Sequence, residues 1–265
     1  TFYYDNFIKV TYDDFYSSDH IDIDKINIVE IAKALGIPKE TTRRKVSELE
    51  SAGVIKKKGK YLIIDKKAFK LVEPINTMKN LTNVFYLIYK ICKKNGIINQ
   101  NIEKESITNS MKSNLTYTWF HYYKFIFTWL FNWKKFFNSD TEKFIIWCIP
   151  MLHRANKMRA EHKNPDVDIS MWRAEIEKIE TQGINTMSLS DITGIPRPTV
   201  TRKLKTLIQN RHLFMDKSKL IHPGDQGKYK TEMYNLQNLA LNEFSSFTAQ
   251  IFNQIIFKTT FEEAK

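Results

Sequence analysis

The sequence predicts a mainly α-helical protein with small β-hairpins, in which two copies of a helix–turn–helix–hairpin unit flank a helical, aromatic-rich centre. Three observations carry that prediction. Gly36–Leu49 (GIPKETTRRKVSEL) and Gly194–Leu207 (GIPRPTVTRKLKTL) align without a gap at an offset of 158, with seven of fourteen positions identical. Each is followed by two short apolar runs around a polar turn. Between them, Tyr117–Phe137 is dense in Trp, Tyr and Phe.

At 265 residues the chain suits two small domains and a connecting region. A hydrophobic share of 42% and an aromatic share of 13% exclude a wholly disordered chain. The net charge is +12; the first 24 residues, with six Asp and one Lys, carry −5, which leaves +17 for the rest. A basic body points to a polyanion, either nucleic acid or an acidic membrane surface, and charge alone does not choose. Cys92 and Cys148 have no partner at CxxC spacing, so neither a zinc finger nor a redox dithiol is supported. A reducing cytosol is the simplest setting, and a cytoplasmic location is expected. From Thr1 onward no basic stretch followed by an apolar run is visible, so no signal peptide is expected. Lys124, Lys134 and Lys135 cut the aromatic segment well short of the ~20 apolar residues a membrane span needs.

The elements follow from capping and periodicity. Residues 1–26 are aromatic and acidic without a clear period. Asn27 is placed to cap a helix Ile28–Leu35, whose Ile28, Ile31, Ala32 and Leu35 form one apolar face. Gly36 can take the positive φ that ends it, and Pro38 suits the start of the next helix, which runs to about Ala52. Val54–Lys57, a Lys58-Gly59-Lys60 turn and Tyr61–Ile64 then read as a hairpin. Pro74 opens a helix to about Lys94, and the polar Gly96–Asn114 reads as a loop. Helices are expected over Leu115–Phe137 and Thr141–His162, the second broken by Asn164-Pro165-Asp166.

The second repeat starts with a helix over Met171–Thr181, followed by Leu189–Thr193 capped by Ser188. Pro196 begins the basic helix. Beyond Leu207 this repeat reads as one residue longer, so that His212 answers Gly53 and Leu213-Phe214 answers Val54-Ile55. Its hairpin runs Leu213–Lys217, turns at Ser218-Lys219 and returns through Leu220–His222; a last helix covers Leu236–Phe257. The expected domains are 1–73, a central region 74–168, and 169–265.

The helix after each Pro carries the main functional signal. Thr42/Val200, Val46/Leu204 and Leu49/Leu207 repeat at i, i+4, i+7 and should point inward. The outward face then shows Lys39, Thr41, Arg43 and Arg44 in the first repeat. In the second it shows Arg197, Thr199, Thr201 and Arg202, with Lys203 beside them. Arg and Lys donate to guanine or phosphate, and Thr offers a hydroxyl and a methyl. They gather at the helix N-terminal end, the end a recognition helix puts into the major groove. The plainer alternative is an amphipathic helix with a solvated basic face, and two copies weigh against it.

Gly194–Leu204 resembles the turn and recognition helix of MarR-type and related bacterial winged-helix regulators. Ile31–Pro38 with Leu49–Ile55 resembles the same core. The resemblance covers about 40 residues at each end of the chain. It implies a recognition helix in the major groove and a hairpin wing on the minor groove or backbone, which gives Lys57, Lys58 and Lys60 the role of phosphate contacts. The expected function is that of a sequence-specific regulator bound to double-stranded DNA. A plasmid-type replication initiator and a protein-interaction scaffold built from winged helices are the alternatives. The aromatic centre reads first as a helical core and homodimer interface, then as a Trp- and Tyr-lined pocket for a small-molecule effector. GxxxxGK[ST], HExxH and GxSxG motifs are absent, and no enzymatic role, metal or cofactor is expected.

Overall fold

The computed structural model describes residues 10–17, 20–21, 27–59, 61–65, 75–161 and 168–263. The chain divides into two compact units, Thr1–Lys124 with Phe244–Lys265, and Phe125–Glu243.

The first unit opens with α1 (Tyr12–Ser17) and the two-residue strand β1 (His20–Ile21), followed by α2 (Ile28–Leu35) and α3 (Lys39–Ser51). Strands β2 (Ile55–Lys58) and β3 (Tyr61–Asp65) make the hairpin. The Asn27 side chain accepts hydrogen bonds from the amides of Val29 and Glu30 at 2.9 and 3.0 Å, and the Glu30 carboxylate accepts from the Asn27 amide at 3.1 Å. This reciprocal box satisfies amides that the first helical turn cannot. Gly36 ends α2 at φ +62°, a conformation only glycine takes without strain. The antiparallel sheet has the order β1-β3-β2, with Ile55 opposite Ile64 and Lys58 opposite Tyr61. Val46, Ile55 and Leu62 form its small core, flanked by Ile28, Ile31 and Val54.

Helices α4 (Ile75–Lys94), α5 (Lys104–Ser113) and the start of α6 (Leu115–Phe136) complete the first unit with the end of the last helix, α11 (Lys230–Glu263). Helix α5 lies within the stretch expected to be a loop. Its polar composition masks an apolar stripe: Ile107 and Met111 sit one turn apart and are fully buried. Phe85 is fully buried, with its ring 5.2 Å from Phe247 and 6.3 Å from Phe252.

The second unit contains the end of α6, then α7 (Thr141–Glu161), α8 (Ile169–Lys178), α9 (Thr186–Thr193) and α10 (Arg197–Gln209). Strands β4 (Leu213–Met215) and β5 (Ile221–Pro223), a 3-10 turn at Gly227–Tyr229 and the start of α11 follow. Ile184 bridges to Ile221 on the free edge of β5. Helix α7 packs on α9, α10 and β5. Phe144 and Trp147 from α7 join Trp133 and Phe137 in one core with Leu189, Val200, Leu204, Leu207 and Leu213. The expected boundaries at 73/74 and 168/169 therefore do not coincide with the observed units. The aromatic centre is no separate body, because α7 is part of the core that α9 and α10 build.

The offset of 158 holds well beyond the sequence match. Helices α2 and α9 have the same bounds at that offset, and so do α3 and α10. Asn27 and Asn185 are the matching N-caps; Gly36 and Gly194 are the matching left-handed ends, at φ +62° and +67°. Two expectations are corrected here. Asn185, not Ser188, caps α9, and the Ser188 amide donates to Asn185 Oδ1 at 2.8 Å. No residue is inserted after Leu207 either: the hairpins start at Ile55 and Leu213, at the unchanged offset. Arg211, at φ +59°, takes the place of Gly53 at φ +71°, and His212 is buried. The left-handed cost at Arg211 is offset by its side-chain pairing with Asp225 and by its carbonyl accepting from the Gln226 amide at 2.9 Å.

The repeats differ in what covers them. Leu207 and Ile195 are 1% and 7% exposed under the rings of α7, whereas Leu49 and Ile37 are 44% and 37% exposed. The inward face expected at Leu49 is thus open. The aromatic helix α6 is also only partly hidden. Trp133 is buried, while Tyr123, Phe127, Leu130 and Phe131 form an exposed stripe at helical spacing. The space beside Trp129 and Trp133, lined also by Leu236, Leu239 and Ala240, is too narrow for a water molecule. Among the described residues, no helix is long and apolar enough to cross a membrane.

Candidate nucleic-acid interface

In each repeat the turn fixes where the second helix begins. Pro38 and Pro196 precede α3 and α10 with nearly the same backbone, φ −53° and −54°, and each accepts the first helical hydrogen bond, from Thr42 and Val200, at 3.0 Å. Thr42 and Val200 turn inward, so the residues around them in the first turns face out.

On α3, Lys39, Thr41, Arg43 and Arg44 are all exposed. The helix supplies its own counter-charges. Arg43 pairs with Glu40 at 3.3 Å, and Arg44 and Lys45 pair with Glu48 at 3.2 and 2.7 Å. The Lys45 hydrogen bond is the main reason Glu48 titrates below the usual glutamate range. In the wing, Lys57 reaches back to Glu50 at 2.5 Å, which lowers the Glu50 pKa in the same way. Lys58 is exposed on β2, and Lys60 lies outside the described residues. Exposed pairs of this kind contribute little and are readily exchanged for another anion.

Helix α10 contains no carboxylate. Arg197, Thr201 and Arg202 are exposed and line a shallow groove with Pro198 and Lys205, while Thr199 is half-buried at its side. The Thr201 hydroxyl donates to the Arg197 carbonyl at 3.0 Å, which leaves its methyl and lone pairs outward. Lys205 was not among the sequence candidates, although its spacing of three and four residues from Arg202 and Thr201 places it on the same face. Lys217 and Lys219, exposed in the turn between β4 and β5, were missed as well; that turn is shaped by Asp216, whose Oδ1 accepts from the Leu220 amide at 2.9 Å.

Lys203 is a correction. It is 8% exposed and points into the unit, with Nζ 2.6 Å from both Asp140 oxygens and 3.0 Å from Glu142. It clamps α10 to the N-terminal turn of α7 and does not belong to the outward face. Burial alone would raise the Asp140 pKa, but the bonds from Lys203 and the Lys143 amide outweigh it and the carboxyl titrates low. Burial likewise opposes charge on Lys203, and Asp140 and Glu142 outweigh it and raise its pKa. The aspartate's share of this link is present above the ordinary value of 3.8 and is lost as pH falls through the lowered folded value. The lysine's share is present below 10.5 and is lost as pH rises through the raised folded value. Lys203→Met should therefore lower stability by about 1–3 kcal/mol at neutral pH and flatten the losses at both extremes. Urea titrations across pH check this, and equal stability of variant and parent at pH 7 would show the clamp to be idle.

Among the described residues no cluster of three or more His, Cys, Asp or Glu could hold a metal ion. Burial pushes the Cys148 thiol up to about 12, so it is not a reactive thiolate near neutrality.

A family model described as winged helix-turn-helix DNA-binding matches residues 24–56, which span α2, the turn, α3 and the start of the hairpin. No curated protein and no solved structure matches the chain. With the N-cap, the left-handed glycine and the basic second helix in that stretch, and the antiparallel hairpin beginning at its end, residues 24–56 belong to a winged helix-turn-helix DNA-binding domain.

Proposed function

We propose that the protein is a sequence-specific transcriptional regulator that reads double-stranded DNA with two winged helix-turn-helix domains, the second formed by α9, α10 and the β4–β5 hairpin. One observation carries the proposal: caps, left-handed glycines, helix bounds and hairpin starts repeat at one offset from a domain of known DNA-binding type. Arg197, Thr201, Arg202 and Lys205 are the base- and phosphate-facing set of the second domain, with Thr199 at its edge. Lys39, Thr41, Arg43 and Arg44 are that of the first, with Lys57, Lys58 and Lys60 as its wing contacts. The kinship with MarR-type and related regulators rests on the resemblance of Gly194–Leu204, and of Ile31–Pro38 with Leu49–Ile55 to the same core.

Arginine and wing lysine should fail differently. Arg202→Ala is expected to cost about 1–3 kcal/mol on a selected site and much less on random duplex. Lys58→Ala should weaken all duplexes alike. Fluorescence anisotropy on both DNAs separates them, and an equal loss for Arg202→Ala on both would remove it from base readout.

We further propose a homodimer through the exposed stripe of α6, where Phe127 and Phe131 are 53% and 55% exposed. Large apolar residues contiguous on one helix face are unusual on a monomer. Phe131→Glu should shift the mass in sedimentation from two chains to one, and a parent protein that sediments as one chain at micromolar concentration refutes the dimer. A second reading is favoured by Leu49 and Ile37: with its inner face open, the first domain would serve as an interaction module while the second holds DNA. In that case Arg44→Ala leaves DNA affinity unchanged and Arg202→Ala does not.

A further inference from the structure

The first unit holds a groove that DNA binding does not use. It lies between α4 and α5, is open to solvent with a volume of about 320 Å³, and has Tyr12 of α1 in its lining. The two helices run antiparallel across it. Thr82 and Thr108 share a hydrogen bond at 2.9 Å, and further along α4 the Tyr89 hydroxyl accepts from the Ile102 amide at 3.1 Å, ahead of α5. This register puts Lys79 and Lys112 on the Tyr12 side of the threonine pair and Lys104 on the other side.

The floor is apolar. Met78 is 3% exposed; of the polar residues in the lining, Thr82 and Thr108 hydrogen-bond each other at 2.9 Å, and Asn83 is half-buried beside them. Met78 with the neighbouring Ile75 and Tyr12 ring rewards an apolar chain laid along it. The rim is cationic, because Lys79, Lys104 and Lys112 face a single carboxylate, Glu105. Among the described residues none of the three lysines forms a salt bridge, and the Lys112 ammonium rests over the Tyr12 ring at 5.2 Å. An aromatic face, Met78 and Ile75 therefore meet two ammonium groups at one end of the groove.

We infer that this groove is a binding site for an amphipathic organic anion. A medium-chain carboxylate would lay its chain along Met78, Ile75 and Tyr12 and place its head between Lys79 and Lys112. The volume lies at the small end of ligand sites and suits a guest of that size. The inference is independent of DNA binding, since it uses neither repeat's outward face.

The test uses the full chain with octanoate as probe, 1-octanol as the uncharged control and acetate as the headless control. Methyl spectra of 13C-labelled methionine report at Met78, assigned by Met78→Leu, and calorimetry gives affinities. Octanoate should bind saturably and shift the Met78 methyl, octanol should bind more weakly, and acetate should not bind. Lys79→Met with Lys112→Met, both at exposed positions, should weaken octanoate about tenfold or more while leaving octanol unchanged. Thr108→Trp, which fills the groove, should abolish both. The unperturbed methionine signals confirm that each variant is folded. The inference is overturned if octanoate does not bind at millimolar concentration, if the lysine variants bind it as the parent does, or if Thr108→Trp leaves binding intact.

Discussion

Between 50 and 200 mM salt, affinity for duplex DNA is expected to fall about 10³-fold or more. Each phosphate neutralised by a lysine or arginine releases condensed counterions, and six to ten such contacts give losses of about 10³ to 10⁵ over that range. The second repeat offers Arg197, Arg202, Lys205, Lys217 and Lys219; the first offers Lys39, Arg43, Arg44, Lys45 and Lys58. Even partial use of both sets reaches six. A logarithmic plot of the association constant against salt gives the number of contacts directly. A slope near zero would mean that the basic faces do not meet phosphate, and the DNA-binding proposal would fall with it.

The second large effect is a matched pair of substitutions at equivalent positions. Leu207→Ala should cost about 2–5 kcal/mol, since it removes a side chain 1% exposed in the core built by Phe144, Trp147 and Val200. Leu49→Ala, the same change in the first repeat, should cost about 0.5 kcal/mol or less, because Leu49 is 44% exposed. Denaturant titrations followed by far-ultraviolet circular dichroism measure both. Equal costs would mean that Leu49 is covered in solution, as the interaction-module reading of the first domain requires of a bound state.

Much of the repeat is legible in the sequence because local chemistry fixes it. Asn27, Gly36 and Pro38 act within a few residues of where they stand, and their caps, turn and helix start follow from residue type alone. What the sequence hides is set at a distance. Lys203 looks like its exposed neighbour Arg202; only the arrival of Asp140, far away in the chain, turns it inward. Leu49 and Leu207 are the same residue at equivalent positions, yet Leu207 is covered by α7 within its unit while Leu49 is 44% exposed. Helix α5 escapes notice because its buried stripe is short and set in polar residues. A left-handed arginine is uncommon, so residue type alone does not show that Arg211 answers Gly53.

The division of the chain also sets an order of assembly during synthesis. The second unit is one unbroken stretch, Phe125–Glu243, inserted into a first unit whose remaining part is Phe244–Lys265. Phe85 is fully buried against Phe247 and Phe252, which leave the ribosome more than 150 residues later. At about 5–20 residues per second, the partners of Phe85 arrive roughly 8–30 s after it does. The inserted unit has all its residues before then and can close its core first, while the host unit waits for its last helix. The nascent chain therefore exposes Phe85 for seconds, and a stall between residues 125 and 243 would leave the first-made half of the protein open to chaperones and proteases.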